Sequence, residues 1–323
     1  MVTLAKLCDP WLSKKKVALK PSSYAPLESS MRNHVKPKWG DIQVRNISHG
    51  DVQEWVSGMS GKSGATVVIR AYGILAGLLD DAVSDRLIAR NPARGIALPR
   101  KQRRDHIYLS AEQLYKFAGC CISKPHRKPV SADYEHSTLI LLLGIVGLRW
   151  GEAVGLRIGD VDFDSHRINV KRSATQIGNE IFEGTPKNGR GRKVVFAKAL
   201  DEPLHALIGE RKDDELLFTG GIDGHLQRPD TRVHSWFVGA RERAGLPHMT
   251  VHDLRHTAAS LMVRSGANVK AVQRQLGHSS AAMTLDVYAD LFDDDLDAVG
   301  DAMDTILLRY AVKMQPKGMG EAA

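Results

Sequence analysis

Long apolar runs are missing from this sequence of 323 residues. The longest, Leu139 to Leu148, is interrupted by Gly144 and Gly147. It is too short to cross a bilayer and reads as a buried helix. The opening stretch, MVTLAKLCDPWLSKKK, lacks the apolar core of a secretory signal. Cysteine is scarce: Cys8, Cys120 and Cys121 make three, an odd number without framework spacing. That excludes a disulfide-stapled secreted domain and points to a reducing compartment. No His or Cys cluster lies near Cys120 and Cys121 in sequence, so buried thiols are expected there rather than a metal or redox pair. An acidic excess is absent too. Lys and Arg number 45 against 37 Asp and Glu, a formal net charge of +8. That balance favours an acidic partner, with nucleic acid first. The expected location is the cytoplasm, away from membranes.

What is present suits a globular chain: 43% hydrophobic and 25% charged residues, with length enough for two domains. Residues 1–94 read as an all-α domain. Leu4, Leu7, Trp11 and Leu12 recur at helical spacing, and a second helix runs from Ser22 or Ser23 to Val35, ended by Pro37 and Gly40. Ser48 is the expected N-cap of a third. Gly58 to Gly64 reads as a loop, and Val67 through Ile88 as one long helix stopped by Asn91-Pro92. The module is basic in patches, notably Lys14, Lys15, Lys16, Lys36 and Arg70. Residues 95–107 read as a linker whose Arg100, Lys101, Arg103 and Arg104 suit a chain lying along a phosphate backbone.

Residues 108–323 read as a second domain, mostly α with a small antiparallel β-sheet. Ser110 and Gln113 form a capping-box pattern. The apolar helix through Leu139 to Val146 delivers Gly147-Leu148-Arg149-Trp150-Gly151-Glu152, and the plain reading pairs Arg149 with Glu152. Between Asp160 and Phe196 the period changes to that of strands, with Thr185 to Arg190 as the turn between the last two. Leu216 to Phe218 reads as a short strand, and Glu202 to Glu210 and Val233 to Ala244 as helices. Val299, Met303, Ile306, Leu307 and Tyr310 mark an amphipathic tail helix.

The stretch from Thr250 to Tyr288 holds the chemistry. His252 and Arg255 share a helix face. A second short segment ends at Leu276-Gly277-His278, and a third carries Tyr288. A guanidinium forks onto two phosphate oxygens, an imidazole donates or moves a proton, and a phenol without its proton attacks phosphorus. His252-Asp253-Leu254-Arg255-His256, Leu276-Gly277-His278 and Tyr288, with GLRWGE and GLRIGD upstream, resemble the tyrosine recombinase (phage integrase) family. The tail LFDDDLDAVGDAM looks most like actinobacteriophage members.

The resemblance implies a core-binding domain at residues 1–94 and a catalytic domain from 108. It implies a catalytic set of Arg149, Lys187, His252, Arg255, His278 and the nucleophile Tyr288, with Glu152 and His256 behind them. Lys187 matches the family's T-x-K-x-x-x-x-R form, with Arg192 and Lys193 as competitors. His252 is the candidate base for Tyr288. The implied reaction cleaves and rejoins double-stranded DNA core sites through a 3′-phosphotyrosyl link and a Holliday junction, with no metal, cofactor or ATP. The partners implied are four copies of the chain on two duplexes, with a host bending protein or an excision factor. An arm-binding domain finds no room here, which suggests a smaller member or a piece lacking that part.

Other readings stay open on sequence alone. A chromosome- or plasmid-dimer resolvase shares the motifs, as does a type IB topoisomerase. Ala258 to Leu276 also fits a helix-turn-helix regulator. Asp293, Asp294, Asp295 and Asp297 would suit a metal nuclease.

Overall fold

The computed structural model describes residues 2–101, 106–124, 127–128, 130–186, 189–292, 300–301 and 303–308. The chain divides into two compact units, Met1–Asp105 with Thr175–Phe182, and His106–Ala174 with Glu183–Ala323.

The N-terminal segment builds α1 (Ala5–Ala18), α2 (Pro21–Ser30), α3 (Lys36–Trp39), α4 (His49–Ser60) and α5 (Ala65–Ser84). Cys8 and Trp11 of α1, Trp39, Val52 and Val56, and Val68, Ile74, Leu75, Leu78 and Leu79 of α5 close one apolar core. Ser48 caps α4 reciprocally with Asp51, as its position predicts. Pro37 does not stop the second helix. A wide turn at Met31–Val35 joins α2 to α3, and the Lys36 N–H reaches back to the Met31 carbonyl. Proline lacks an N–H and its ring crowds the carbonyl four residues back, and the widened turn absorbs that mismatch. The expected loop at 58–64 begins later, because α4 continues to Ser60. The long helix ends at Ser84 rather than Ile88. Arg86 turns left-handed at φ 60°, and the Asn91 amide donates to the Ala76 carbonyl at 2.9 Å and to Asp80 at 2.7 Å. These bonds fold the segment after α5 back along it.

The second unit contains α6 (Ala111–Ile122), α7 (Ser131–Val146), α8 (Trp150–Val154), β1 (Val161–Asp162) and β2 (Arg167–Val170). Next along the chain come β3 (Ser173–Ile177) and β4 (Glu180–Gly184), of which Thr175–Phe182 belongs to the first unit, and then, in the second unit again, β5 (Arg192–Val195), α9 (Asp201–Ile208), β6 (Thr219–Ile222) and α10 (Trp236–Arg243). The last labelled elements are α11 (Val251–Arg264), α12 (Val269–Leu276) and α13 (Ala281–Phe292). Ser110 and Gln113 cap α6 as expected. Leu139 to Leu143 are buried on every side of α7, which makes it the central helix against α6 and α11.

The single sheet expected from the sequence is two. β1, β2 and β5 form one, with antiparallel register Val161 to Ile168 and Ile168 to Val194. β3 and β4 form the other. β4 and β5 therefore belong to different sheets and do not pair as the expected hairpin. Leu216 makes only an isolated bridge to Arg157, while Leu217 and Phe218 are wholly buried core residues. Burial explains that apolar triplet better than strand pairing, and the strand itself comes next, at β6. Among the described residues no helix is long and apolar enough to cross a membrane.

Candidate active site

Two chain reversals frame the site. α7 ends at Gly147 with φ 77°, and α12 ends at Gly277 with φ 67°. Both lie in the left-handed region, where a side chain costs energy. Space forbids one as well: a Cβ at Gly147 would fall 2.6 Å from Leu276 Cδ2, and one at Gly277 would fall 2.7 Å from Arg192 Nε. Arg255, buried on α11, ties the two reversals together. Its Nη1 donates to the Gly147 carbonyl and its Nη2 to the Leu276 carbonyl at 2.6 Å. Arg149 follows the first reversal and donates from Nη2 to the Gly277 carbonyl at 3.3 Å.

Glu152 stands behind both. It is 1% exposed. Its carboxylate accepts from Arg149 Nη1 at 2.8 Å and from Arg192 Nη1 and Nη2 at 2.8 and 2.9 Å. It also accepts from the Arg149 backbone N–H at 2.9 Å, which caps α8. Burial alone would push this carboxyl up; the Arg192 guanidinium and then Arg149 overcome it and hold it at about 2. Gln275 locks α12 in place. Its amide donates to the Val195 carbonyl at 2.7 Å and the Val146 carbonyl at 3.2 Å, and its oxygen accepts from the Val195 N–H at 3.0 Å. One buried carboxylate thus faces the guanidiniums of Arg149, Arg192 and Arg255. The positive charge left over suits an anion with several oxygens. Burial and then Arg149 draw Arg255 down to about 9, so it stays charged at neutral pH.

Tyr288 on α13 is 1% exposed, and its hydroxyl lies 2.8 Å from His256 Nδ1. The sequence reading expected His252 as its partner. The contact instead comes from the residue one turn further along α11, because His252 points its ring edge-on at His256, 4.9 Å away. His278 lies parallel to the Tyr288 ring at 6.4 Å, its Nδ1 2.9 Å from Thr284 Oγ1. Burial raises the Tyr288 phenol above its ordinary value, and Arg255 offsets part of that. The imidazoles move the other way. Burial, then Arg255, lowers His278 to about 4. Burial, then His252, lowers His256 to about 3. The surrounding protein, then Arg255, lowers His252 to about 4, although this residue keeps exposed surface; the neighbouring cations alone would set the direction. All three rings are neutral at neutral pH.

The structure thus gathers Arg149, Glu152, His252, Arg255, His256, His278 and Tyr288 around these reversals. Lys187, Arg103 and Arg104 lie outside the described residues, as do the acidic residues 293–297. Sequence reasoning named Arg192 only as a rival to Lys187, yet it is the second clamp on Glu152; the closing arginine of T-x-K-x-x-x-x-R was its signal. Gln275 and His106 left no such signal. In the N-terminal segment Lys14 pairs with Asp81 at 3.3 Å and Lys36 with Asp9 at 2.8 Å. Lys15 sits 5.1 Å from the Trp11 ring centroid. These cations are partly engaged within their own fold, whereas Lys16, Arg100 and Lys101 are exposed. Residues 300–301 and 303–308 of the tail are helical and leave Met303, Ile306 and Leu307 exposed.

His106, Asp253 and His256 bring donor atoms within 4.8 Å of one another, close enough for a metal to be considered. The two imidazoles are stacked, however, with centroids 3.8 Å apart and planes at 28°. Lone pairs in nearly parallel planes do not converge on one ion, and Asp253 already accepts from the Thr250 N–H and hydroxyl. The arrangement is a stack, poorly shaped for coordination.

Residues 108–294 match the model of the phage integrase family, and residues 3–60 match the N-terminal SAM-like domain of phage integrases. A putative prophage phiRv2 integrase of Mycobacterium tuberculosis is 25% identical over 282 residues, covering 86% of this chain and 72% of the relative. Among solved structures, the Tn1549 transposon integrase in complex with a circular intermediate DNA superposes with a TM-score of 0.74 at 21% identity, covering 89% of this chain and 95% of the other. A lambda integrase tetramer bound to a Holliday junction superposes with a TM-score of 0.67 at 17% identity, covering 87% and 79%.

Proposed function

The chain belongs to the phage integrase family, and from that premise we propose that it is a site-specific DNA recombinase acting through a 3′-phosphotyrosyl intermediate. The observation that carries this reading is the pairing of an overcharged guanidinium cluster with a buried phenol on the adjoining helix. In this reading the scissile phosphate enters beside Arg149 and Arg255, whose charge stabilises the oxygens as the transition state forms. His278 donates to the same phosphate, and His252 lines the approach. Tyr288 attacks phosphorus, and Lys187 protonates the departing 5′ oxygen. Because the phosphotyrosyl link keeps the energy of the broken phosphodiester, a 5′-hydroxyl of a second duplex rejoins it without ATP.

The remaining assignments follow from the same reading. Residues 1–94 form the core-binding domain, 95–107 a basic linker and 108–323 the catalytic domain. Lys14, Lys15, Lys16, Lys36, Arg70, Arg100, Lys101, Arg103 and Arg104 contact the backbone of double-stranded DNA. Four copies assemble on two duplexes, a reading supported by the lambda integrase, which is described as a tetramer bound to a Holliday junction, and the apolar row at Met303, Ile306 and Leu307 docks on a neighbouring copy. Integration or excision of a phage genome in the host cytoplasm is the biological setting proposed, with a host bending protein or excision factor as accessory. Incubating the protein with a nicked duplex, selected from a random pool by binding, tests the core of this. A protein–DNA adduct that survives denaturation and EDTA is expected; a nicked product with no covalent link would overturn the reading.

A further inference from the structure

A buried phenol cannot hand its proton to bulk water, so its acceptor must be a neighbour. Tyr288 is 1% exposed and His256 7%. The reacting oxygen lies 2.8 Å from His256 Nδ1, within range for direct proton transfer. The other imidazoles are placed otherwise. His252 meets His256 with its ring at 87°, and His278 is engaged with Thr284. His256 is itself fixed from its far face, where His106 stacks on it at 3.8 Å. His106 keeps solvent access, which gives the imidazolium formed during the reaction a neighbour in contact with water.

We propose that His256 is the catalytic residue that takes the Tyr288 proton, and that His106 is a positioning residue that holds the His256 ring. The inference rests on the reading of Tyr288 as nucleophile. In the forward step the Tyr288 O–H bond breaks as the Oη–P bond forms, and the proton moves to His256 Nδ1. The P–O5′ bond breaks with its electron pair staying on the 5′ oxygen, which is protonated by Lys187. In the return step Lys187, left without its proton, takes the proton of the new 5′-hydroxyl as that oxygen bonds to phosphorus, the Oη–P bond breaks, and the imidazolium gives its proton back to the tyrosine oxygen. The groups that face His256 are His252, Asp253 and Arg255 from its own helix, His106 from the segment before α6, and Tyr288 from α13. Asp253 is the one anion among them and favours the imidazolium. Burial, His252 and His106 keep the ring neutral at rest. The acceptor is therefore available at neutral pH, and transfer awaits the phosphate.

The test uses the 323-residue chain in single-turnover cleavage of two nicked duplexes, one with the natural 5′ oxygen and one with a bridging 5′ sulfur at the scissile phosphate. A thiolate leaves without protonation, so the sulfur substrate isolates activation of the nucleophile. His256→Ala is expected to slow adduct formation by about 10²-fold or more on both substrates. DNA binding should be retained, and the rate should climb by about tenfold per pH unit because hydroxide must now take the proton. His256→Asn, whose amide oxygen can occupy the Nδ1 position, keeps the hydrogen bond but takes no proton. It should fold and bind DNA yet be as slow as the alanine variant, with the same pH slope. His106→Ala should slow both reactions several-fold without changing the pH slope. Wild-type rate and pH profile in His256→Asn would overturn the proposal, as would full rescue of His256→Ala by the sulfur substrate. An unaffected His106→Ala would remove that residue's part. Tyr288→Phe separates the two readings: an adduct formed by that variant would overturn the nucleophile assignment, whereas its absence beside an unimpaired His256→Asn would overturn only the inference drawn here.

Discussion

At the scale of single residues the proposed catalysis rests on charge that cannot be replaced by charge alone. Arg255 reaches two carbonyls on two different reversals at once, which a lysine ammonium cannot do from one point. Arg255→Lys should therefore lose about 10²–10³-fold in cleavage rate, measured in single turnover, with a lower melting temperature; near-normal cleavage would count against its role. Glu152 makes a prediction with a sign. Its carboxyl sits at about 2 in the folded protein against an ordinary 4.5. The stability it contributes is present above about pH 4.5 and is lost as pH falls towards 2. Glu152→Gln should destabilise the protein at pH 7 by roughly 3 kcal/mol, since it strips the buried guanidiniums of their shared anion. The gap in melting temperature should narrow as pH drops below 4.5; a gap that stays constant would show that the carboxylate is not what Arg149 and Arg192 hold. The side chains in this cluster were mostly legible in sequence, because Arg149, His252, Arg255, His278 and Tyr288 come in a recognisable order. The partner of the tyrosine was not legible. His252 and His256 lie on neighbouring turns, and only the packing of α13 decides which of them meets the phenol.

At the scale of elements the two glycine reversals set the geometry. Gly277→Ala places a Cβ both in a disfavoured conformation and against Arg192. We expect a loss of about 1–3 kcal/mol in denaturant titration, with slower cleavage because His278 is the next residue. Unchanged stability would show that the reversal relaxes freely. Helix existence and several caps could be read from pattern: Ser48, Ser110 and the apolar run of α7 behave as written. What pattern could not supply was pairing between distant segments. β4 and β5 are neighbours in sequence, yet each pairs with an earlier strand, because β2 buries Ile168 and Val170 in the core alongside Val194 of β5. The wide turn before Pro37 was equally hidden. A proline signals a break, but a helix that can insert one extra residue in a turn passes through it.

At the scale of the whole molecule, the proposed division is a DNA-gripping domain and a catalytic one joined by a basic linker. If residues 95–107 form a basic linker, trypsin should cut the free protein there first, at the exposed Arg100 or Lys101, and DNA should protect the site. Equal cutting with and without DNA would argue against backbone contact by this segment. The measurement that bears most directly on the central claim is the fate of the tyrosine during cleavage. Wild-type protein and Tyr288→Phe would be incubated with a nicked duplex, digested, and the DNA-linked peptide identified by mass spectrometry. The account predicts a 3′-phosphate joined to the wild-type peptide through Tyr288, and no linked peptide from the variant. A linkage through any other residue, or an equal yield of adduct from Tyr288→Phe, would contradict it.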